Sequence, residues 1–272
     1  MITLPERFSL GEDARADRQG LGSDGTRHLL PDLAYKRLFV VNVCFYGNPA
    51  GYENWVLIDA GVPGTLINLK QSAQLRFGGR PPSAIVLTHA HPDHVGCLQG
   101  LVEVWDCPVY AHPLEHPYLR GEASYPSPDP GAAGGLLSKA TMARTLPPMS
   151  LGPRLHDLPQ DGSLPYMPGW RWLHTPGHSA GHISLWRESD RTLLAGDALL
   201  TTSQRAAYAV NCHELALCGP PRMLTADWEV ARESVRRLAA LQPELILSGH
   251  GRALRGPAVR EALTRLAQNR AG

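Results

Sequence analysis

The sequence has no surplus of either charge, no paired-cysteine spacing and no long apolar run. Lys and Arg number 26 and Asp and Glu 25, a formal charge of +1 over 272 residues. The basic face expected of a nucleic-acid binder is therefore missing. No stretch of roughly 18 apolar residues occurs, which excludes a spanning helix, and the opening MITLPERFSLGEDARADRQG holds no apolar run of signal length. The five cysteines, Cys44, Cys97, Cys107, Cys212 and Cys218, form an odd set without CxxC. That argues against a disulfide framework and for reduced, mostly buried thiols. The resulting expectation is a cytoplasmic protein with neither a membrane nor a nucleic-acid partner. Charged residues are 19% and hydrophobic residues 43%, a globular balance with enough chain for a sizeable core. Gly (27) and Pro (24) are abundant, so much of the chain is loop, where sites are usually built. Twelve histidines stand out.

Along the chain, residues 37–46 (RLFVVNVCFY) and 54–58 (NWVLI) read as two strands of a hairpin around GNPAGYE. Residues 63–77 and 95–105 read as helices, and PPSAIVLTH and CPVYAH as short strands. WRWLHTPGH, ISLWRE and RTLLAGDAL continue the strand pattern. The run 225–242 is the clearest helix, with Thr225 and Asp227 at its start and apolar residues at helical spacing. ELILSGHG is a last strand and 257–269 a closing helix. The expectation is one α/β domain over 1–272, in which the Pro/Gly-rich segment 113–169, with a helical patch at 136–146, forms a lid or an insertion. Its Leu, Pro, Tyr and Met content points to an apolar pocket.

The chemistry concentrates in Thr88-His89-Ala90-His91-Pro92-Asp93-His94, directly after an apolar strand. A strand end followed by a tight loop can aim three imidazoles and a carboxylate into one small volume, a donor mixture that suits Zn²⁺. Three further stretches share that grammar of apolar strand, small residue and ligand-type side chain: TPGH ending at His178, AGD ending at Asp197, and SGHG around His250. His182, four residues after His178, reads equally as a supporting or packing residue and as a catalytic one. His174 reads as a core or edge residue, and His28, His112, His116, His156 and His213 as surface residues, with His213 a weak pocket candidate; Tyr208 reads as packing rather than a substrate contact, on a loop that passes near the site.

These motifs, in the order Asp59 in LIDAG, HAHPDH, TPGH, GD and SGHG, closely resemble those of the metallo-β-lactamase superfamily. The resemblance implies an αββα sandwich, two mixed sheets packed face to face with helices on the outer faces. It implies that His89, His91 and His178 hold one metal ion, that Asp93, His94 and His250 hold a second, and that Asp197 bridges them. Asp59 would fix the motif loop. The cofactors implied are two divalent ions, Zn²⁺ first and Fe or Mn as alternatives. Their bridging hydroxide would attack a carbonyl or phosphoryl centre, with Asp93 the first candidate for handling the proton.

Within the superfamily, His94 and Asp197 set the chain apart from the β-lactamase classes, which differ at one or both positions. The hydroxyacylglutathione hydrolases share every ligand but carry a basic C-terminal segment whose counterpart is not visible after His250. The homoserine lactonases place a tyrosine soon after the bridging aspartate, whereas Tyr208 lies eleven residues beyond Asp197. The expected function is a dinuclear hydrolase of small carbonyl substrates: lactone, ester, thioester or amide. The alternatives are a mononuclear iron persulfide dioxygenase of the same superfamily, a β-lactamase and a non-catalytic metal-binding protein. A small molecule is the expected partner, and a homodimer is one assembly left open by the sequence.

Overall fold

The structure is a computed structural model that describes residues 7–51, 54–125, 148–204, 206–207, 214–222 and 224–268. These fall into two compact units, one comprising 17–125 with 148–168, the other 7–16 with 169–268. Among the described residues no helix is long and apolar enough to cross a membrane.

In chain order, β1 (Arg7–Ser9) belongs to the second unit, and the first unit begins at β2 (Arg27–Leu30). Its sheet has seven strands in sequence order, β2 to β8: β3 is Leu33–Leu38, β4 Val41–Tyr46, β5 Val56–Ile58, β6 Ala84–Val86, β7 Val109–Ala111 and β8 Leu155–Asp157. Pairing is antiparallel from β2 to β5 and parallel from β5 to β8. Parallel steps need crossovers, which α1 (Leu66–Phe77) supplies between β5 and β6, and α2 (Pro92–Val95) with α3 (Leu98–Trp105) between β6 and β7. The strand residues are Val-, Ile- and Leu-rich because β4, β5 and β6 are buried along their whole length. Trp55 anchors this core, stacked on Phe77 at 4.4 Å and edge-on to Trp105 at 5.6 Å, while its indole N–H donates to the Arg80 carbonyl. Gly78 closes α1 in the left-handed conformation at φ 64°.

Three expectations change here. The run 37–46 is not one strand, because the chain reverses at Phe39 and Val40 and pairs Leu38 with Val41. Phe39 sits exposed at φ 56°, so this turn lacks the Gly, Asn or Pro that usually announces one. The helix expected over 95–105 is two pieces that part at Gly96 and Cys97. Segment 113–169 is not strand-free: β8 pairs in parallel with β7, and α4 (His116–Leu119) follows a 3-10 turn at Pro113–Glu115. Leu119, Leu151, Leu158, Leu164 and Met167 are buried, which uses part of the apolar content read as a pocket. The helical patch at 136–146 lies outside the described residues.

The second unit holds a five-stranded mixed sheet, order β14-β13-β11-β10-β9. Its strands are β9 (Trp170–His174), β10 (Ile183–Arg187), β11 (Thr192–Gly196), β13 (Leu245–Ser248) and β14 (Leu254–Arg255). A separate antiparallel pair joins β1 to β12 (Ala216–Cys218). Two amphipathic helices, α5 (Trp228–Ala240) and α6 (Pro257–Gln268), put Val235, Leu238, Val259 and Leu263 into one core with Leu193, Ala195 and Ile246. Asp227 caps α5, its carboxylate accepting from the N–H groups of Glu229 and Val230.

Candidate metal centre

The donors of the first unit sit between β6 and α3, His89 and His91 on the loop and Asp93 and His94 in α2, and a buried carboxylate sets their orientation. Asp59 follows β5 at φ 63°, a conformation that aspartate tolerates better than most side chains. It accepts from the Thr88 amide at 2.8 Å, from the Thr88 hydroxyl at 2.9 Å and from His94 Nδ1 at 2.8 Å. A carboxylate can only accept, so His94 carries its proton on Nδ1 and turns an Nε2 lone pair outward. The single hydroxyl proton of Thr88 goes to Asp59, so Thr88 accepts from His89 Nδ1 at 3.0 Å, and His89 also presents Nε2 as a donor to a metal. The LIDAG turn holds the loop through the backbone: the Ala60 N–H donates to the His94 carbonyl, the Gly96 N–H to Gly61 and the Cys97 N–H to Ala60. A Cβ on Gly96 would lie 2.3 Å from the nitrogen of Pro63, so only glycine permits that approach.

His89 Nε2 and His91 Nδ1 are 2.9 Å apart. Two nitrogens at that spacing share a proton or a cation; bound tetrahedrally at zinc–nitrogen distances they would stand about 3.3 Å apart. Asp93 Oδ2 is 3.9 Å from His94 Nε2. The four side chains His89, His91, Asp93 and His94 are no more than 3% exposed.

Sequence reasoning passed over two neighbours of this loop. Glu115, buried, accepts from the Ala90 N–H at 2.9 Å and from the Tyr125 hydroxyl, and the Tyr125 ring lies 4.2 Å from the ring of His91. Burial, reinforced by the Glu115 charge, pushes the Tyr125 phenol well above its usual range, so it stays protonated and donates. No local sequence signal marks either residue, because both reach the loop through tertiary packing.

In the second unit, small residues bring the backbone close and a bulge re-aims the strand end. The β11–β13 register shifts between Leu194 and Gly196, with Gly196 at φ 53°, so Asp197 leaves the strand at an angle. Its Oδ2 lies 3.5 Å from His178 Nε2 and 3.2 Å from His250 Nε2, one carboxylate oxygen between two imidazoles. His182 supports this carboxylate through the main chain: its Nε2 accepts from the Asp197 N–H at 2.8 Å, and its Nδ1 faces the Thr175 carbonyl at 3.1 Å. The His250 loop is tied by Ser248 and Thr201, whose hydroxyls both donate to the His250 carbonyl. The TPGH loop is tied to α5, where the Asp227 N–H donates to the Gly177 carbonyl, the Ala226 N–H to His178 and the Ser234 hydroxyl to Pro176.

Buried His and Asp side chains thus gather into groups able to hold metal ions. His89, His91, Asp93 and His94 form the buried donor group of the first unit, and His178, Asp197 and His250 that of the second. Nitrogen and carboxylate oxygen donors of this mixture fit a borderline divalent cation. Burying two carboxylates among imidazoles is costly unless positive charge accompanies them.

Other histidines fall elsewhere. His174 is on β9 and faces the Ala180 carbonyl, His28 touches Arg76, and His112 accepts from the Leu114 N–H. His116 is a correction: it is buried, not surface, with Nδ1 3.5 Å from Asp157. Burial pushes its pKa down, with Asp157 opposing. Tyr208 and His213 lie outside the described residues.

The pattern of the family described as Metallo-beta-lactamase superfamily matches residues 38–250. A Bacillus subtilis (strain 168) protein named "Probable metallo-hydrolase YflN" is 41% identical over 229 residues, 84% of this chain and 87% of that one. Among solved structures, a beta-lactamase domain protein from Burkholderia ambifaria covers 93% of this chain and 75% of its own, with a TM-score of 0.65 at 21% identity, a likeness of fold alone. TTHA1623 in a di-iron-bound form is 28% identical, with a TM-score of 0.57 over 84% of this chain and 95% of that one. Fold, relatives and donor set together define a metallo-hydrolase. The chain belongs to the metallo-beta-lactamase superfamily, and its two mixed sheets with their helices are the fold of that family.

Proposed function

We propose that the chain hydrolyses small carbonyl compounds, a lactone, ester, thioester or amide, at a centre of two divalent metal ions. His89, His91 and His178 would hold one ion, Asp93, His94 and His250 the other, and Asp197 both. The observation that carries this reading is the buried donor group of each unit, with His89 Nε2 2.9 Å from His91 Nδ1 in the first and one Asp197 oxygen 3.2 Å from His250 and 3.5 Å from His178 in the second. Divalent ions in such a set supply an acidified water and a Lewis acid for the carbonyl. The chain's own contribution is orientation: Asp59 and Thr88 fix which nitrogens of His94 and His89 face inward, and His182 fixes the Asp197 backbone. Asp93, buried beside His94, is the group we assign to accept the proton of the attacking water on a carboxylate oxygen and return it to the leaving group.

Zinc is our first assignment for the metal. Iron is the competitor, since TTHA1623 was solved in a di-iron-bound form. The test strips the protein with a chelator, reloads it with zinc, iron(II) or manganese, and assays short- and long-chain lactones, esters, thioesters and amides. Hydrolysis that vanishes on stripping and returns with metal supports the reading. A metal-loaded protein inert toward all four classes, or one that consumes oxygen on glutathione persulfide with a single bound iron, overturns it.

A further inference from the structure

We propose that Glu115 and Tyr125 form a positioning pair that sets the geometry of the His89–Ala90–His91 segment and so governs how firmly the metal is held. The inference rests on the metal reading above.

Ala90, between the two histidines, is buried and offers its own N–H. It donates to Glu115 Oε2 at 2.9 Å and approaches the Tyr125 hydroxyl at 3.3 Å, while that hydroxyl donates to the same carboxylate oxygen. One oxygen therefore gathers a backbone donor and a phenol from sequence positions 25 and 10 residues away. A carboxylate acceptor makes both bonds charge-assisted, roughly twice as strong as neutral ones.

Glu115 is itself aimed by its turn. Its own N–H donates to the His112 carbonyl at 2.8 Å, and prolines at 113 and 117 stiffen the entry to the 3-10 turn and to α4. Tyr118 on α4 gives Tyr125 a platform, with centroids 3.9 Å apart and planes only 2° from parallel. Tyr125 then stands 4.2 Å from the His91 ring at 59°, close enough to restrict how that imidazole turns. The carboxylate fixes the backbone of the segment, and the ring limits the side chain at its end. Neither residue donates to a metal; both act through His89 and His91.

The experiment loads wild type, Tyr125→Phe, Glu115→Ala and Glu115→Gln with cobalt(II), records the visible ligand-field spectrum, and measures cobalt release to a chelator. Tyr125→Phe keeps the stacked ring and removes only the donor. It is expected to shift the spectrum and to speed release by about tenfold or more, the usual scale for partners of metal ligands. Glu115→Ala is expected to do the same, and Glu115→Gln, which keeps an acceptor oxygen for Ala90, to recover most of the wild-type spectrum. Should Glu115→Ala fail to fold, Tyr125→Phe still decides. Wild-type spectrum and release in Tyr125→Phe overturn this inference and leave the metal reading standing. A wild type that binds no cobalt overturns both.

Discussion

Replacing Gly177 by alanine probes the coupling between the TPGH loop and α5. Gly177 has φ 121°, and a Cβ there would lie 2.3 Å from the Ala231 nitrogen, 2.4 Å from its Cα and 2.6 Å from its Cβ. These are helix atoms, so no rotamer change relieves the overlap. The loop cannot slide freely either, because residues 176–178 are bonded to Ser234, Asp227 and Ala226. Holding alanine at this φ costs about 1–3 kcal/mol, and forcing a methyl into a packed contact about 1–3 kcal/mol more. A combined loss of roughly 2–6 kcal/mol is a large share of a stability of about 5–15 kcal/mol. At about 2–4 °C per kcal/mol, the melting midpoint should fall by roughly 5–20 °C, read by circular dichroism in excess chelator so that metal plays no part. Gly169→Ala is the matched control: φ is 80° but nothing lies within 4 Å of the added carbon, so only the backbone cost of about 1–2 kcal/mol remains. A Gly177→Ala midpoint equal to wild type, or no lower than that of Gly169→Ala, would refute the close approach.

Asp59→Asn tests the orienting carboxylate without straining its backbone, since asparagine also tolerates positive φ; metal retention against a chelator should weaken about 10- to 100-fold, and unchanged retention would remove Asp59 from this role. Asp227→Ala deletes two cap bonds at the start of α5 and should cost about 1 kcal/mol, checked by denaturant titration. Burial pushes the thiols of Cys107 and Cys218 up to about 11 each, so at pH 8 mass spectrometry should find both largely unmodified by iodoacetamide in native protein and modified in denaturant. The sign of the linkage follows: an acid whose folded pKa is raised contributes stability below its unfolded value, near pH 8.5, and loses it as pH climbs toward 11. Stability should therefore decline across that alkaline window, and a flat profile there would contradict the burial of these thiols.

The strands were legible where apolar residues run together, as in β5, β6 and β13, and α5 where polar Asp227 meets a helical apolar repeat. The donor residues were legible because each follows an apolar strand and a small residue, the local rule that lets a strand end present a side chain. The Phe39 turn was not, since positive φ at an exposed phenylalanine has no sequence mark. β1 and β12 are three residues long and take their pairing from each other across most of the chain, and β14 is only two residues long. Glu115 and Tyr125 escaped for the same reason: what they do depends on contacts across 25 and 35 residues. His116 was misplaced because a histidine in a proline-rich stretch carries no sign of the packing that buries it.

Metal stoichiometry on freshly purified protein, by elemental analysis of wild type and of His178→Ala, Asp197→Ala and His250→Ala, bears most directly on the proposed centre. Two divalent ions per wild-type chain are expected, with clear loss in each variant under conditions where circular dichroism shows the fold retained. A wild type that carries no metal after reloading, or folded variants that keep both ions, would contradict it.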